Sequence, residues 1–281
     1  MKAVIPAAGL GTRLLPVTKE QPKEMLPVFA RARNGHKCLK PLVQLVFEQL
    51  YELGLREFYF IIGRGKRAIE DHFTPHPNYL TILEGKGKGG YADELRNFYL
   101  KIEDSSIVWV NQPEPKGFGD AVARVAPFVG NEPILVHAGD TYVISDQNHH
   151  LKNLMKVYNE MNSDAAFVIQ RVEDPRQYGV IEAEKIGEGV YRVIKAVEKP
   201  DKPPTDLAIM PIYIFRPVIF KALRETLPGW GGEIQLTDAI QKLVNWELRV
   251  HAIELESNDV RLDIGTVETY WEALELSYHH Q

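Results

Sequence analysis

Short apolar runs and segments of helical spacing alternate along the first half of the chain. Four apolar runs, at residues 3–5, 57–62, 107–110 and 134–136, have the length and composition of buried strands. Helical spacing follows at residues 39–53, at 91–102 and from Asp120 onward. A repeated strand–turn–helix order predicts a parallel sheet, because parallel strands need helical crossovers.

The second half has a different pattern. We expect a helix near 147–161, a strand at 165–172, a β-hairpin over 179–198 and a strand at 207–215. A helix at 235–245, a strand at 248–255 and a last helix follow. That helix carries Val267, Tyr270, Trp271, Leu274 and Tyr278 on one predicted apolar face. With no clear linker, the pattern predicts one α/β domain over 1–281, built on a continuous mixed sheet.

Two segments lack either pattern. Residues 29–38 are polar and basic and are predicted to be a loop, and the glycine-rich residues 85–90 are predicted to be a mobile connection. The pairs His149-His150 and His279-His280 lack the i, i+4 spacing of helical metal ligands, so we expect surface residues there.

Composition and charge narrow the class of protein. The chain has 281 residues, a formal charge of -5 and a pI near 6.0. That charge argues against a nucleic-acid-binding surface. A single cysteine, Cys38, excludes an intramolecular disulfide and favours a reducing compartment. The longest apolar runs are shorter than a membrane span of about 20 residues. We therefore expect a cytoplasmic protein without membrane contacts.

The strongest candidate for chemistry is the segment 4–28, VIPAAGLGTRLLPVTKEQPKEMLPV. A strand that enters the turn at Gly9 and Gly11 brings backbone N–H groups to the sheet edge, where they can bind phosphate. Arg13 and Lys23 add positive charge there. An ordinary strand–helix turn would not explain these two cations.

Two common phosphate-binding motifs do not match this segment. A dinucleotide fingerprint needs a third glycine where Leu14 stands, and a P-loop needs Gly-Lys-Ser/Thr where the chain has Thr12 and Arg13. Two carboxylates also stand in glycine-bearing segments: Asp140 in HAGD and Asp263 in RLDIGT. A lone Asp more often caps a turn, but a pair beside a phosphate turn suggests a shared Mg²⁺.

The segment 4–28 resembles the signature GxGTRLxPxTxxxPKxMLPV of the sugar-1-phosphate nucleotidylyltransferases, and the resemblance extends to the last helix. It implies a Rossmann-like three-layer α/β/α fold, with a mostly parallel sheet and a smaller sugar-side β lobe. Residues 1–140 would form the nucleotide-binding half and 141–281 the sugar-phosphate-binding half. The resemblance also implies that four residues of the opening turn bind the nucleotide: Ala8, Gly9, Gly11 and Thr12.

The resemblance also implies roles for the charged residues. Arg13 and Lys23 would contact the triphosphate, and Mg²⁺ would bind Asp140 and Asp263. The family often has a further acid after the first Asp, where this chain has Thr141, so the metal shell is left open.

Base and sugar binding fall on later motifs. Gln112 and Gly117 lie in QPEPKGFGDAV, which resembles the base-recognition loop, and a Gln amide has a donor and an acceptor for a pyrimidine. The sugar-phosphate side would comprise a second set: Tyr178, Gly179, Glu198, Lys199 and Glu233. Glu233 could instead have only a helix-capping role.

Within the family, GRGKRAIEDHF and GEIQLTDAI are most similar to the bacterial-type UTP–glucose-1-phosphate uridylyltransferases. This implies conversion of UTP and glucose 1-phosphate to UDP-glucose and pyrophosphate, in a homodimer or homotetramer. A thymidylyltransferase using dTTP is the nearest alternative. A nicotinamide-dependent oxidoreductase is disfavoured by Leu14, and a non-catalytic nucleotide-sugar sensor by the retained charged residues.

Overall fold

The computed structural model describes residues 1–280, which form thirteen strands and ten α-helices. The strands are β1 (Lys2–Pro6), β2 (Pro27–Arg31), β3 (Lys37–Pro41), β4 (Glu57–Ile62), β5 (Ser106–Asn111), β6 (Ile134–His137), β7 (Thr141–Ile144), β8 (Ala165–Arg171), β9 (Gly179–Gly187), β10 (Val190–Glu198), β11 (Leu207–Phe215), β12 (Val250–Glu254) and β13 (Val260–Asp263). The helices are α1 (Leu42–Glu52), α2 (Arg67–His72), α3 (Pro77–Gly85), α4 (Gly89–Glu103), α5 (Phe118–Ala123), α6 (Ala126–Val129), α7 (His149–Glu160), α8 (Val218–Glu225), α9 (Leu236–Asn245) and α10 (Val267–His280).

Nine strands form one central sheet in the order β5-β4-β1-β6-β11-β8-β12-β10-β9. The first four of these are parallel, as the sequence predicts for the first half. Strand β11 is antiparallel to both β6 and β8, and the β9–β10 hairpin closes the far edge. The sheet is therefore mixed and runs without interruption through both halves of the chain.

Both faces of this sheet are buried. Successive strand residues point to opposite faces, so Val4 of β1 packs in one core and Ile5 in the other. Ile240 of α9 belongs to the first core, and Phe47 of α1 belongs to the second. This is the predicted three-layer α/β/α arrangement.

Two predictions about connecting segments need correction. Residues 29–38 are not a simple loop, because β2 and β3 pair there as an antiparallel hairpin. Val28 and Ala30 of β2 are buried with the period of two that defines a half-buried strand. The glycine-rich residues 85–90 include the end of α3 and the start of α4, with only residues 86–88 between these helices.

The apolar face predicted for α10 is only partly buried, and Tyr270 is the predicted member that packs against the core. Val267, Trp271 and Tyr278 are exposed, whereas Ala273 and Ser277 are the buried residues of this helix. Small side chains allow a close approach to β2, and the Ser277 hydroxyl accepts a hydrogen bond from the Phe29 N–H at 3.2 Å. No helix within residues 1–280 is both long and apolar enough to cross a bilayer.

Candidate active site

A cleft of about 520 Å³ lies at the carboxyl-terminal edge of the parallel strands. Ligands bind at this edge in open α/β sheets, where the connecting loops converge. Ten of the residues predicted from the sequence line the cleft: Ala8, Gly9, Gly11, Thr12, Arg13, Lys23, Gln112, Gly117, Asp140 and Glu233. The fold therefore brings residues from both halves of the chain to one cavity.

The turn after β1 offers a row of backbone donors. No hydrogen bond among residues 1–280 uses the backbone N–H of any of residues 8–13. The turn is held from the other side, because the Thr18 hydroxyl donates to the Gly11 carbonyl at 2.7 Å. Gly11 has φ 67°, a left-handed conformation that favours glycine. Free N–H groups in consecutive residues form an anion-binding concavity.

Two ion pairs lie at the cleft, whose lining among residues 1–280 includes Lys23, Asp140 and Glu24 but not Lys66. Lys23 donates a hydrogen bond to Asp140 Oδ2, and Lys66 Nζ lies 2.8 Å from Glu24 Oε2. Burial alone would raise the pKa of Asp140, but the adjacent Lys23 ammonium outweighs it and lowers that pKa. Burial raises the pKa of Glu24 despite Lys66 and Lys23. Each carboxylate at this part of the cleft is therefore paired with a lysine.

Asp140 and Asp263 are neighbours through the two-stranded sheet of β7 and β13. Asp263 pairs with Thr141, and the Ile264 N–H donates to the Asp140 carbonyl at 3.0 Å. Burial raises the pKa of Asp263, and the negative charge of Asp140 raises it further. The two carboxylates are therefore close enough to repel each other.

This pair fits a hard divalent cation. Mg²⁺ prefers oxygen ligands, and one or two carboxylates usually suffice because waters and substrate phosphates complete the shell. Within residues 1–280, no group of three or more His, Cys, Asp or Glu side chains is arranged to hold a metal. Thr141 supplies no third carboxylate, and its hydroxyl lies 3.5 Å from Asp263 Oδ1.

The loop after β5 presents Gln112 at the cleft. Its amide nitrogen donates to the Gly117 carbonyl at 3.1 Å and to Asp120 Oδ2 at 2.8 Å. The sequence suggests that this amide offers both a donor and an acceptor to a base. In the structure both amide hydrogens are directed to protein acceptors, which leaves the carbonyl oxygen Oε1 for a ligand.

Gly117 is required by a close backbone contact. It has φ 106°, and a Cβ at this position would lie 2.7 Å from the Ile234 carbonyl oxygen. The Ile234 N–H donates to the Lys116 carbonyl at 2.8 Å, and the Gly119 N–H donates to the Ile234 carbonyl at 2.9 Å. These contacts explain why Glu233 lies beside the loop of Gln112 in the cleft.

The remaining predicted sugar-side residues form a second cluster. A Cβ at Gly179 would lie 2.5 Å from the Thr237 hydroxyl and 3.1 Å from Glu198 Oε2. Thr237 donates to Glu198 Oε2 at 2.7 Å, and burial raises the pKa of Glu198. Within the described chain, the lining of the 520 Å³ cleft does not include Gly179, Glu198 or Lys199.

Lys199 is held in an unusual conformation beside this cluster. Its φ is 41°, uncommon for a residue with a side chain. Its ammonium lies 3.9 Å from the centre of the Trp230 ring and 3.7 Å from Glu198 Oε1. Backbone strain of this kind is concentrated at functional sites.

Tyr178 and Asp263 are not among the described residues that line the 520 Å³ cleft. Both border a second cavity between β13 and α10. Arg261, two residues before Asp263 on β13, donates to the Tyr178 hydroxyl at 3.0 Å. The sequence patterns did not identify Arg261, and they also missed a set of partners in the main cleft and the sugar-side cluster: Glu24, Lys66, Asp120, Trp230 and Thr237. Lys66 and Thr237 lie inside the motifs GRGKRAIEDHF and GEIQLTDAI, which were noted only for their resemblance.

Comparisons with known proteins agree with this geometry. The model of the nucleotidyl transferase family matches residues 2–279. A UTP–glucose-1-phosphate uridylyltransferase of Staphylococcus epidermidis is 41% identical over 273 residues, covering 95% of this chain and 90% of the relative. The relative of the same name in Bacillus subtilis is 41% identical over 268 residues, covering 94% and 86%.

A solved structure is similar over the whole chain. The crystal structure of a UDP-glucose pyrophosphorylase complexed with UDP-glucose matches with a TM-score of 0.84 and 36% identity, covering 100% of this chain and 99% of that one. The fold, the cleft and these comparisons agree, and the chain belongs to the nucleotidyl transferase family.

Proposed function

We propose that this chain is an enzyme that transfers a uridylyl group from UTP to glucose 1-phosphate, releasing UDP-glucose and pyrophosphate. The proposal rests on the row of N–H groups at residues 8–13 that lack partners among residues 1–280, in the same cleft as Arg13, Lys23 and Asp140. This arrangement suits a polyphosphate. The names of the relatives with 41% identity support the choice of substrates.

The chemistry requires positioning more than proton transfer. An oxygen of the sugar phosphate attacks the α-phosphorus in line, and pyrophosphate leaves. That oxygen is already ionised near neutral pH, so no general base is needed. Arg13 and the N–H groups of the turn hold the triphosphate. Arg13 is exposed and can contact phosphate oxygens in a bidentate manner.

Asp140 and Asp263 would hold Mg²⁺, which neutralises charge on the phosphates when bound. Lys23 stabilises Asp140 in the absence of a cation and lies beside Gly9 of the turn, since a Cβ at Gly9 would lie 3.8 Å from Lys23 Nζ. The same ammonium therefore serves both the carboxylate and the phosphate side of the cleft.

The second cluster is the site we assign to glucose 1-phosphate. Glu198 accepts from Thr237 and keeps lone pairs for sugar hydroxyls. Gly179 allows Thr237 and Glu198 to pack directly against the backbone, and Lys199 provides a charge for the phosphate of the sugar. Tyr178 stays a predicted member of this site, held by Arg261.

The test is pyrophosphate release with Mg²⁺ and glucose 1-phosphate, using UTP, dTTP, CTP, ATP and GTP in turn. Asp140→Asn and Asp263→Asn should each reduce turnover by about 100-fold or more, because several kcal/mol of charge stabilisation is lost. Asp146→Asn is the matched control, since Asp146 is exposed and outside the cleft. Turnover within about threefold of the parent in both variants would refute the metal assignment.

Nucleotide preference decides between the candidates. Strong preference for UTP supports uridylyl transfer, and equal or faster use of dTTP would identify a thymidylyltransferase. No release with any nucleotide, combined with UDP-glucose binding in calorimetry, would identify a sensor. Cytoplasmic location and a homodimer or homotetramer stay predictions from the sequence.

A further inference from the structure

Gln112 reaches the cleft through an amide whose orientation is determined by its protein neighbours. The side chain is 5% exposed, and its nitrogen donates to the Asp120 carboxylate and the Gly117 carbonyl. Both neighbours are acceptors only. Rotating the amide by half a turn would bring Oε1 against two oxygens at hydrogen-bonding distance, which is repulsive.

Asp120 is itself fixed in place. It lies in the first turn of α5, is 8% exposed, and is paired with Arg124, whose Nη2 lies 3.1 Å from Oδ1. Arg124 Nε also donates to Oδ2 at 3.3 Å. A charged, nearly buried acceptor is the strongest available constraint on a neutral amide. No residue within the described range 1–280 donates to Gln112 Oε1.

We propose that Asp120 is a specificity-determining positioning residue, which fixes the Gln112 amide so that the cleft presents an acceptor to the base. This inference rests on the proposed nucleotidyl transfer. A pyrimidine with an N3–H, uracil or thymine, can donate to Oε1. Cytosine has an unprotonated N3, an acceptor, and is repelled. The cleft therefore accepts UTP and dTTP and rejects CTP. Asp120 determines this preference through the orientation of the Gln112 amide, without contacting the base.

The first test uses the unaltered enzyme. We expect kcat/KM for CTP, and for N3-methyl-UTP, which lacks the donor hydrogen, to be at least about 100-fold below that for UTP, since a site built around one hydrogen bond strongly rejects analogues without it. Equal use of UTP and CTP would refute the inference while leaving transferase activity intact. Absence of turnover with UTP, dTTP and CTP would instead refute the proposed function.

The second test is Asp120→Asn, which keeps the shape and lets residue 120 donate. Rotation of the Gln112 amide is then opposed only by the Gly117 carbonyl and is favoured by a new donor at position 120, so Nε2 can point toward the cleft and the UTP/CTP ratio of kcat/KM should fall by about tenfold or more. The absolute value for CTP should rise. A merely structural role would lower both nucleotides together and leave the ratio unchanged, which would refute the inference.

Arg124→Met is the matched control. It removes the ion-pair partner of Asp120 but leaves the acceptor that faces Gln112. The UTP/CTP ratio should stay within about threefold of the parent value. A collapse of the ratio in this variant, equal to that in Asp120→Asn, would show that the charge balance of the pair, rather than the acceptor at position 120, sets base choice.

Discussion

The buried pair of Glu24 and Lys66 allows a quantitative prediction. Both side chains are at least nine-tenths buried, and Glu24 lines the cleft together with its chain neighbour Lys23. Replacing Lys66 with Met keeps most of the side-chain volume and removes the cation that compensates Glu24. Removing one partner of a buried pair is costly because the other charge remains uncompensated.

The cost has an upper limit, because Glu24 can take up a proton instead of staying charged. With an ordinary value of 4.5 for the carboxyl, protonation costs about 3.4 kcal/mol at pH 7 and about 0.7 kcal/mol at pH 5. Burial already raises the pKa of Glu24 in the parent, and loss of the Lys66 charge raises it further in the variant. The folded variant then binds more protons than the folded parent, so its stability relative to the parent falls as pH rises above the folded-state pKa of Glu24 in the parent.

Urea unfolding of Lys66→Met and the parent at pH 5, 6 and 7 measures this difference. We expect the loss of unfolding free energy to grow with pH and not to exceed about 3.4 kcal/mol at pH 7. The double variant Glu24→Gln, Lys66→Met is the control and should lose the pH dependence. An equal loss at pH 5 and pH 7 would show that packing, not the uncompensated carboxylate, explains the effect.

Three further predictions follow from other contacts. Burial lowers the pKa of His150 to about 3, so below the ordinary pKa of 6.5 the unfolded state binds a proton that the folded state does not. The parent should therefore lose stability between pH 7 and pH 5. His150→Phe should reduce that loss by up to about 2 kcal/mol in thermal or urea unfolding. Gly117→Ala forces a Cβ against the Ile234 carbonyl, so the KM for nucleotide should rise about tenfold with unchanged circular dichroism. Trp230→Leu removes the cation–π contact of Lys199, so the KM for glucose 1-phosphate should rise about threefold while that for UTP stays constant. An unchanged pH dependence of stability in His150→Phe would contradict the first prediction. A nucleotide KM within twofold of the parent in Gly117→Ala would contradict the second. An equal change in the KM values of both substrates in Trp230→Leu would contradict the third.

The central sheet could be predicted from the sequence because its strands are apolar throughout. Strands buried on both faces leave long apolar runs whatever their direction, and the parallel strand β4 and the antiparallel strand β11 were both located to the residue. The hairpin of β2 and β3 was missed because it has no such apolar run. Its strands are short and basic, and only Val28 and Ala30 alternate toward the core.

Periodicity also failed where packing chose the smaller residues. The stripe of Val267, Trp271 and Tyr278 has helical spacing, yet α10 packs through Ala273 and Ser277. Helical spacing identifies a face but does not say which face the neighbours cover. His150 was expected at the surface. It is instead buried in α7, with its Nδ1 at 2.5 Å from the Ser145 hydroxyl.

The candidate site shows the same division between local and long-range information. Motifs located the residues that lie at strand ends, such as Asp140, because their position follows from the order of elements. The partners that orient them come from elsewhere in the chain. Lys66 follows β4, 42 positions after Glu24, and no spacing rule connects the two.

The contact between Ile234 and the loop of residues 112–119 explains why the site cannot be divided at residue 140. The backbone of Ile234 donates to Lys116 and accepts from Gly119, so a segment of the predicted sugar half fixes the loop that carries Gln112. Gly117 must lack a side chain because that segment passes against it. The position of the loop that carries Gln112 therefore depends on a residue more than one hundred positions away, so under the proposed function base recognition requires both halves of the chain.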